Sequence, residues 1–194
     1  MARMGSFDIS GMKKLQKNLN KIQEQQVNEF VEGCAKELAA RLLAKVIKRT
    51  PVGDYSKEIE VTAKRDSKKH KKGDTYKKRI NPSGKMGGTL RRGWISKTQE
   101  EAESKKRSTI KNEEILDYVD KVIISHTGNL YTIEIINPVE YSGYVEYGHR
   151  TPDHKGWVQG RFMMTISEQE IQQIAPKVLE KKVKKFLGGV FNGQ

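Results

Sequence analysis

The sequence has almost no cysteine and no long apolar segment. Cys34 is the one cysteine among 194 residues, which excludes an intrachain disulfide and a metal site made of cysteines alone. A reducing, intracellular origin fits this composition. No run approaches the roughly 20 apolar residues that span a bilayer, and residues 1–14 lack the apolar stretch of a signal peptide. We therefore expect no membrane partner.

Apolar residues are also scarce for a chain of this length. Hydrophobic residues make up 35% of the sequence and aromatic residues 7%, and the mean hydropathy is −0.75. These values fit one domain over residues 1–194 with a modest core and long exposed segments. They argue against a compact metabolic enzyme.

Positive charge is what the sequence has in excess. Lys and Arg outnumber Asp and Glu by 37 to 24, a formal net charge of +13, which favours nucleic acid or an acidic protein surface as a partner. Residues 57–92 alone hold thirteen Lys or Arg against four Asp or Glu. We predict a long basic loop over residues 52–88. Its candidate contacts with DNA or a protein partner are Lys68, Lys69, Lys71, Lys72, Lys77, Lys78 and Arg79.

Two long helices are predicted from the apolar spacing. Apolar residues recur every three or four positions from Met12 to Ile22 and again from Val27 to Val46, which predicts an N-terminal helix over residues 11–49, or two helices with a break near residues 20–26, that ends before Pro51. A second run of this kind predicts a C-terminal helix over residues 160–187, with a kink or restart at Pro176.

The region between the helices, residues 89–147, is predicted to form a sheet with one short helix. We expect a strand over 90–96 and a hairpin made of 121–125 and 130–136, and the short helix lies around 141–147. The polar residues 97–114 form a second loop or a solvated helix. The fold class is α+β: a small, mostly antiparallel sheet flanked by the two long helices, with two long charged loops.

No catalytic, metal or cofactor site is predicted. His149 and His154 are close in sequence but lack the further ligands that zinc requires. Gly84-Lys85 is followed by Met86, so it is no phosphate-binding loop, and no nucleophile occurs beside a base and an orienting group. No DNA-reading motif accompanies the basic loop, so contact with nucleic acid would be independent of sequence.

Three further segments form a pattern: Thr50-Pro51-Val52-Gly53 with Gly88-Thr89-Leu90-Arg91-Arg92-Gly93-Trp94, then the run from Asn137 to His149, and then Gly160-Arg161-Phe162-Met163. Together they resemble the tail-component family of long-tailed bacteriophages, the head-tail connector or tail-completion proteins of the phage neck. The resemblance spans residues 12–186. The lysine-rich residues between Gly53 and Gly87 and the polar residues 97–114 depart from the family pattern.

The resemblance implies a non-enzymatic virion protein, assembled in the host bacterial cytoplasm as a ring, commonly of six subunits. Its partners would be copies of itself, connector proteins and tail-tube or terminator proteins, with no small-molecule substrate. The basic loop would face genomic DNA in the channel or dock on an acidic neighbouring ring, and a free nucleic-acid-binding protein is the alternative. Residues 145–149 would form an intersubunit contact or, as we favour, a turn that positions the last helix. The structural residues of the motifs are Pro51, Leu90, Arg91, Trp94, Tyr144, Glu146, Gly148, His149, Phe162 and Met163.

Overall fold

The computed structural model describes residues 24–104, 109–128 and 130–192. The contacts within the chain define two compact units, and the prediction of a single domain over residues 1–194 stays a prediction. Unit 1 comprises Met1–Lys45, Ile115–Ile135 and Met164–Gln194, and unit 2 comprises Val46–Glu114 and Ile136–Met163.

Helices and short hairpins make up the described structure. The helices are α1 Glu24–Arg49, α2 Thr89–Gly93, α3 Gln99–Ser104, α4 Asn112–Lys121, α5 Ser142–Tyr147 and α6 Met163–Asn192. The strands are β1 Lys57–Thr62, β2 Thr75–Ile80, β3 Ser125–Thr127, β4 Leu130–Thr132, β5 Gly148–Arg150 and β6 Trp157–Gln159. They pair as three antiparallel two-stranded ladders, β1 with β2, β3 with β4 and β5 with β6. The predicted α+β class is confirmed, and its strands form three ladders of two.

Antiparallel packing of α1 on α6 organises unit 1. The rings of Phe30 and Phe186 stack with their centroids 4.5 Å apart, and Lys182 Nζ lies 2.6 Å from Glu37 Oε2. Lys45 Nζ lies 2.6 Å from Glu170 Oε2. Residue numbers in these three contacts increase along α1 while they decrease along α6, so the two helices run in opposite directions. The core of the unit includes Cys34, Ala39, Leu43, Ile115, Val119 and Ile171.

The predicted hairpin of unit 1 is present but shorter than expected. The strands cover residues 125–127 and 130–132 in place of 121–125 and 130–136, because α4 extends to Lys121. Beyond β4, Ile133 and Ile135 line an aliphatic cleft of about 170 Å³ against the Ala35–Leu42 face of α1. Their alternating apolar side chains therefore face a helix and are not part of a ladder.

The long basic segment of unit 2 contains a hairpin where a loop over 52–88 was predicted. β1 and β2 pair from Lys57 opposite Ile80 to Thr62 opposite Thr75. Val61, Tyr76 and Ile80 are half-buried on one face of the ladder, and this alternation stabilises the two strands. The prediction missed it because the lysines between the apolar residues dominate the composition.

The strand predicted over residues 90–96 is wrong. Thr89–Gly93 forms the short helix α2, and Leu90 and Trp94 are 4% and 5% exposed. These two residues are four positions apart, the spacing that places side chains on one helix face. The predicted alternation between two strand faces therefore does not occur.

The remaining predictions for helices are partly confirmed. α1 ends before Pro51 as predicted, and residues 11–23 of the predicted N-terminal helix lie outside the described residues. α6 continues through Pro176, so the predicted restart is absent. The polar residues 97–114 contribute α3 and the first turn of α4. No helix in the described part of the chain is long and apolar enough to cross a membrane.

Candidate functional site

The first group of motif residues ties the end of α1 to α2, and we call it the junction: Thr50, residues 90–94 and Asn137. The Thr50 hydroxyl donates to Val46 O at 2.6 Å and accepts a hydrogen bond from Trp94 Nε1 at 2.7 Å. The Thr50 carbonyl accepts from Arg91 Nη2 at 2.6 Å. The Thr50 carbonyl thus receives a partner that the end of an α-helix does not supply, and Val46 O accepts from the Thr50 hydroxyl in addition to Thr50 N.

Arg92 is the most buried cation of the junction, with 2% of its surface exposed. Its guanidinium donates to Ala102 O at 2.6 Å, to Gly87 O at 3.1 Å and to Thr89 Oγ1 at 3.2 Å. Burial lowers the pKa of this guanidinium, which stays charged at neutral pH because an arginine pKa lies far above 7. Arg92 therefore holds the segments around α2 and α3 together.

Close packing at Gly93 joins α2 to the loop before α5. A Cβ atom on Gly93 would overlap Asn137 Oδ1 and lie 2.8 Å from Val139 Cγ2. Asn137 Nδ2 donates to Leu90 O at 2.8 Å, and Asn137 Oδ1 accepts from Val139 N at 3.2 Å. The first two of the three motif segments therefore meet here. Pro51, the other predicted residue of the first segment, is exposed beside the junction.

A second group presents aromatic side chains to solvent, and we call it the aromatic surface. Tyr144 is 62% exposed, Tyr147 66% and Trp157 55%. Tyr141 and Phe162 are 43% and 40% exposed. Large exposed aromatic side chains in one region are typical of a protein contact surface. Trp157 was not predicted as a site residue, although it is one of only two tryptophans in the sequence.

The turn predicted at residues 145–149 falls on the end of α5 and the first two residues of β5. Gly148 has a φ of 86°, and a Cβ atom there would overlap Val158 O. Arg161 N donates to Val145 O at 2.7 Å, and Phe162 N donates to Glu146 O at 3.0 Å. These bonds fasten the turn to the start of α6, where Phe162 itself adopts a φ of 48°.

The other motif residues of this region lie partly or wholly inside the unit. Met163 is fully buried and Glu146 is 6% exposed. His149 is half-buried, with its ring in edge contact with Tyr144 at a centroid distance of 5.7 Å. Its Nδ1 atom is buried and has no hydrogen-bond partner among residues 24–104, 109–128 and 130–192. The tight backbone contacts and these buried side chains set the direction in which the tyrosines project.

The third group is the lysine loop, residues 63–74, at the tip of the β1–β2 hairpin. The loop is held by its own backbone: Ala63 N donates to Asp74 O at 2.8 Å and Gly73 N to Ala63 O at 2.9 Å. Both of its carboxylates bind backbone amides. Asp66 Oδ1 accepts from Lys72 N, and Asp74 Oδ2 from Lys71 N, each at 2.7 Å.

The predicted contact lysines of this loop are therefore available to a partner. Lys68, Lys69, Lys71 and Lys72 are exposed, and none forms an ion pair with another residue of the described ranges. At the base of the tip, the imidazole of His70 stacks on the ring of Tyr76 at 4.0 Å. This stack covers one face of the tyrosine ring.

The predicted contacts on β2 divide between the two faces of the hairpin. Lys78 lies opposite Ile59, and Lys77 lies opposite Glu60. Arg79 lies 3.7 Å from carboxylate oxygens of both Asp54 and Glu58, so nearby carboxylates partly balance its charge. Because the strand cations lie beside acidic or apolar neighbours, the uncompensated positive charge is concentrated in the loop.

Neither a cluster of metal ligands nor an exposed thiol occurs among the residues that the structure describes. Within the ranges that the structure describes, no three His, Cys, Asp or Glu side chains lie close enough together to hold a metal ion. The lone cysteine is buried, and burial raises the pKa of its thiol, which keeps it protonated and a poor nucleophile. The aromatic surface can bind a partner through aromatic packing, and the lysine loop can bind one through positive charge.

Comparison with known proteins identifies a class that fits these binding surfaces, the structural components of phage tails. Residues 13–85 match the family model described as "HK97-gp10_like: Bacteriophage HK97-gp10, putative tail-component". The match confirms the predicted resemblance to a phage tail-component family and covers α1, Pro51 and the β1–β2 hairpin. No curated protein and no solved structure matches the chain.

The matched range includes part of the junction and the whole lysine loop. It includes the lysine-rich residues that were expected to depart from the family, so the hairpin lies within the matched part of the chain. It ends before α2 and the aromatic surface, which are placed by the structure alone. A tail-component family favours a structural, non-enzymatic role and a location in the virion.

Proposed function

We propose that the protein is a ring-forming tail-completion or tail-terminator subunit of the phage neck, which joins the tail tube to the head connector. The observation that carries this proposal is the match of residues 13–85 to a phage tail-component family. Its partners are further copies of itself, in a ring of six, together with connector and tail-tube or terminator proteins. It acts in the virion after assembly in the host bacterial cytoplasm.

The exposed apolar side chains support assembly into a larger structure. The aromatic surface exposes Tyr144, Tyr147 and Trp157 by more than half. In unit 1, Ile123 is 84% exposed and Leu130 64%. A subunit that is completed by its neighbours exposes such side chains only while it is free, because the contacts of the assembly bury them.

The hydrogen bonds of the junction also support a structural role. Arg91, Arg92 and Trp94 bind backbone or hydroxyl oxygens of their own unit. The hydrogen bonds of these side chains keep α2 in a fixed position relative to the end of α1. Such rigidity suits a subunit that presents a constant surface to its neighbours in a ring.

Assembly mass tests the proposal directly. We would measure the purified protein by mass photometry across salt concentrations and image the same sample by negative-stain electron microscopy. Closed rings of several subunits that persist after nuclease treatment are the expected result. A protein that stays monomeric at all concentrations, alone and with its tail partners, would contradict the proposal.

A free nucleic-acid-binding protein is the second candidate, and the exposed lysines of the lysine loop favour it. This candidate predicts that an isolated monomer binds duplex DNA tightly near physiological salt. A ring subunit has to assemble before its loops act together on one duplex. The mass of the DNA-bound species therefore separates the two candidates.

A further inference from the structure

The composition of the lysine loop is typical of a surface that binds phosphate. It is not typical of a protein interface. Its twelve residues hold six Lys or Arg, and Ala63 is its only aliphatic residue. Protein interfaces are depleted in lysine and have an apolar or aromatic core. Contact with a nucleic-acid backbone needs only cations that replace the counterions of the phosphates. The composition therefore favours a polyphosphate over an acidic protein.

The two carboxylates of the loop bind its backbone. Asp66 and Asp74 are the two acidic residues of the loop, and each carboxylate binds a backbone amide, that of Lys72 and that of Lys71 respectively. Ser67 Oγ accepts from His70 N at 3.1 Å and fixes the turn between the two lysine pairs. The acids are thus used to shape the loop, and the four lysine side chains remain exposed to solvent.

We propose that the lysine loop is a binding site for the sugar-phosphate backbone of duplex DNA, with Lys68, Lys69, Lys71 and Lys72 as the phosphate contacts. Asp66 and Asp74 are positioning residues that hold the loop in shape. The inference rests on the proposed function for its setting: in a ring, one loop from each subunit meets a duplex in the channel. Binding is independent of base sequence because lysine ammonium groups contact phosphates as point charges.

The salt dependence of DNA binding reports how many phosphates the lysine loop contacts. Each phosphate that a lysine neutralises contributes about −0.9 to the slope of log K against log salt concentration for duplex DNA. Replacement of all four lysines with glutamine should therefore reduce the magnitude of the slope by about 3.6 per bound loop. Between about 50 and 200 mM salt, the wild-type protein should lose affinity at least tenfold more than this variant.

The experiment uses the full-length protein and a mixed-sequence duplex, with fluorescence anisotropy across salt concentrations. The matched control replaces four exposed lysines of α6 with glutamine, Lys177, Lys181, Lys184 and Lys185, which makes the same change in net charge. The expected result is loss of binding and slope in the loop variant and nearly unchanged slope in the α6 variant. Equal losses in both variants would show that only the net charge matters and would overturn the proposal.

Asp66→Ala tests the shape of the loop independently of its lysines. The variant gains positive charge, so a purely electrostatic surface would bind DNA more tightly. If the loop is preorganised, loss of the bond to Lys72 N should instead weaken binding about threefold or more, because ordering the loop then opposes binding. Tighter binding by Asp66→Ala would contradict the positioning role.

Two further measurements separate this inference from its alternatives. A polyglutamate peptide that binds the wild-type loop as tightly as duplex DNA does would overturn the assignment to phosphate. Mass photometry on the same samples reports the proposed function separately. If the protein forms rings but binds DNA equally well without the loop lysines, the inference is contradicted and the ring proposal is not. If binding depends on the loop lysines but the protein stays monomeric, the ring proposal is contradicted and the inference is not.

Discussion

The junction and the lysine loop are both rich in cations and less than 30 residues apart in sequence, yet their charges are used in opposite ways. At the junction, the guanidinium of Arg92 is buried and bonds to three oxygens of its own unit. In the lysine loop, the four lysines are exposed and the neighbouring acids bind backbone amides in their place. One group of cations stabilises the unit, and the other is exposed to solvent.

This difference shows why a net charge does not locate a binding surface. Arg91 and Arg92 are counted among the thirteen cations of residues 57–92, but their guanidinium groups bind Thr50, Ala102, Gly87 and Thr89. The structure separates cations by their partners. The comparison leads to substitutions whose effects on folding should fall steeply from the junction to the loop.

Arg92→Ala should have the largest effect on folding. It removes three hydrogen bonds from a charged group to Ala102 O, Gly87 O and Thr89 Oγ1, and a hydrogen bond to a charged group contributes about 1.5–3 kcal/mol. We expect the free energy of unfolding in urea to fall by about 3 kcal/mol or more. Arg92→Lys keeps the charge but cannot reach three acceptors from one nitrogen, so it should recover only part of the loss. A loss of less than about 1 kcal/mol in Arg92→Ala would contradict the role of this guanidinium as a tie.

Gly93→Ala should come next, through overpacking. The new methyl group would overlap Asn137 Oδ1 and contact Val139, so the loop before α5 has to shift. Such strain costs about 1–3 kcal/mol, measured again as the free energy of unfolding in urea. Gly143→Ala is the matched control, because nothing lies within 4 Å of a Cβ atom at that position. Equal effects of the two substitutions would argue against close packing at Gly93.

Trp94→Phe should have a smaller effect because it removes one hydrogen bond and little apolar surface. The indole donates to Thr50 Oγ1 at 2.7 Å, and a bond of this kind contributes about 1 kcal/mol. A double-mutant cycle with Thr50→Ala should give a coupling energy of about 1 kcal/mol between the two side chains. A coupling energy near zero would mean that Trp94 stabilises the unit only by its burial.

The sequence predicted the long elements of the fold and missed the short ones, for a physical reason. The apolar spacing along α1 and α6 repeats over many turns, and Pro51 ends α1 as expected. The apolar residues Leu90, Trp94 and Ile95 are too few to distinguish a strand from a helical turn, and the structure places Leu90 in α2 and the other two directly after it. The β1–β2 hairpin was missed because its half-buried residues are separated by lysines.

The candidate site was predicted in part. Exposure of Lys68, Lys69, Lys71 and Lys72 follows from composition, since lysine is rarely buried. The roles of Asp66 and Asp74 could not be predicted, because the sequence does not show whether a carboxylate binds a lysine side chain or a backbone amide. The tie between Thr50 and Trp94 joins residues 44 positions apart, and no local pattern indicates it.

Replacement of the four loop lysines should have the smallest effect on folding, which makes it the sharpest contrast with the junction. Lys68, Lys69, Lys71 and Lys72 form no ion pair within the described ranges, so glutamine at all four positions removes only mutual repulsion among like charges. We expect the free energy of unfolding to change by less than about 0.5 kcal/mol, typical of surface substitutions, or to rise slightly at low salt as that repulsion is relieved. Urea denaturation at low and high salt measures both effects. If the free energy of unfolding falls as much as in Arg92→Ala, the lysines stabilise the hairpin. The contrast between the buried cations of the junction and the exposed cations of the loop would then be wrong.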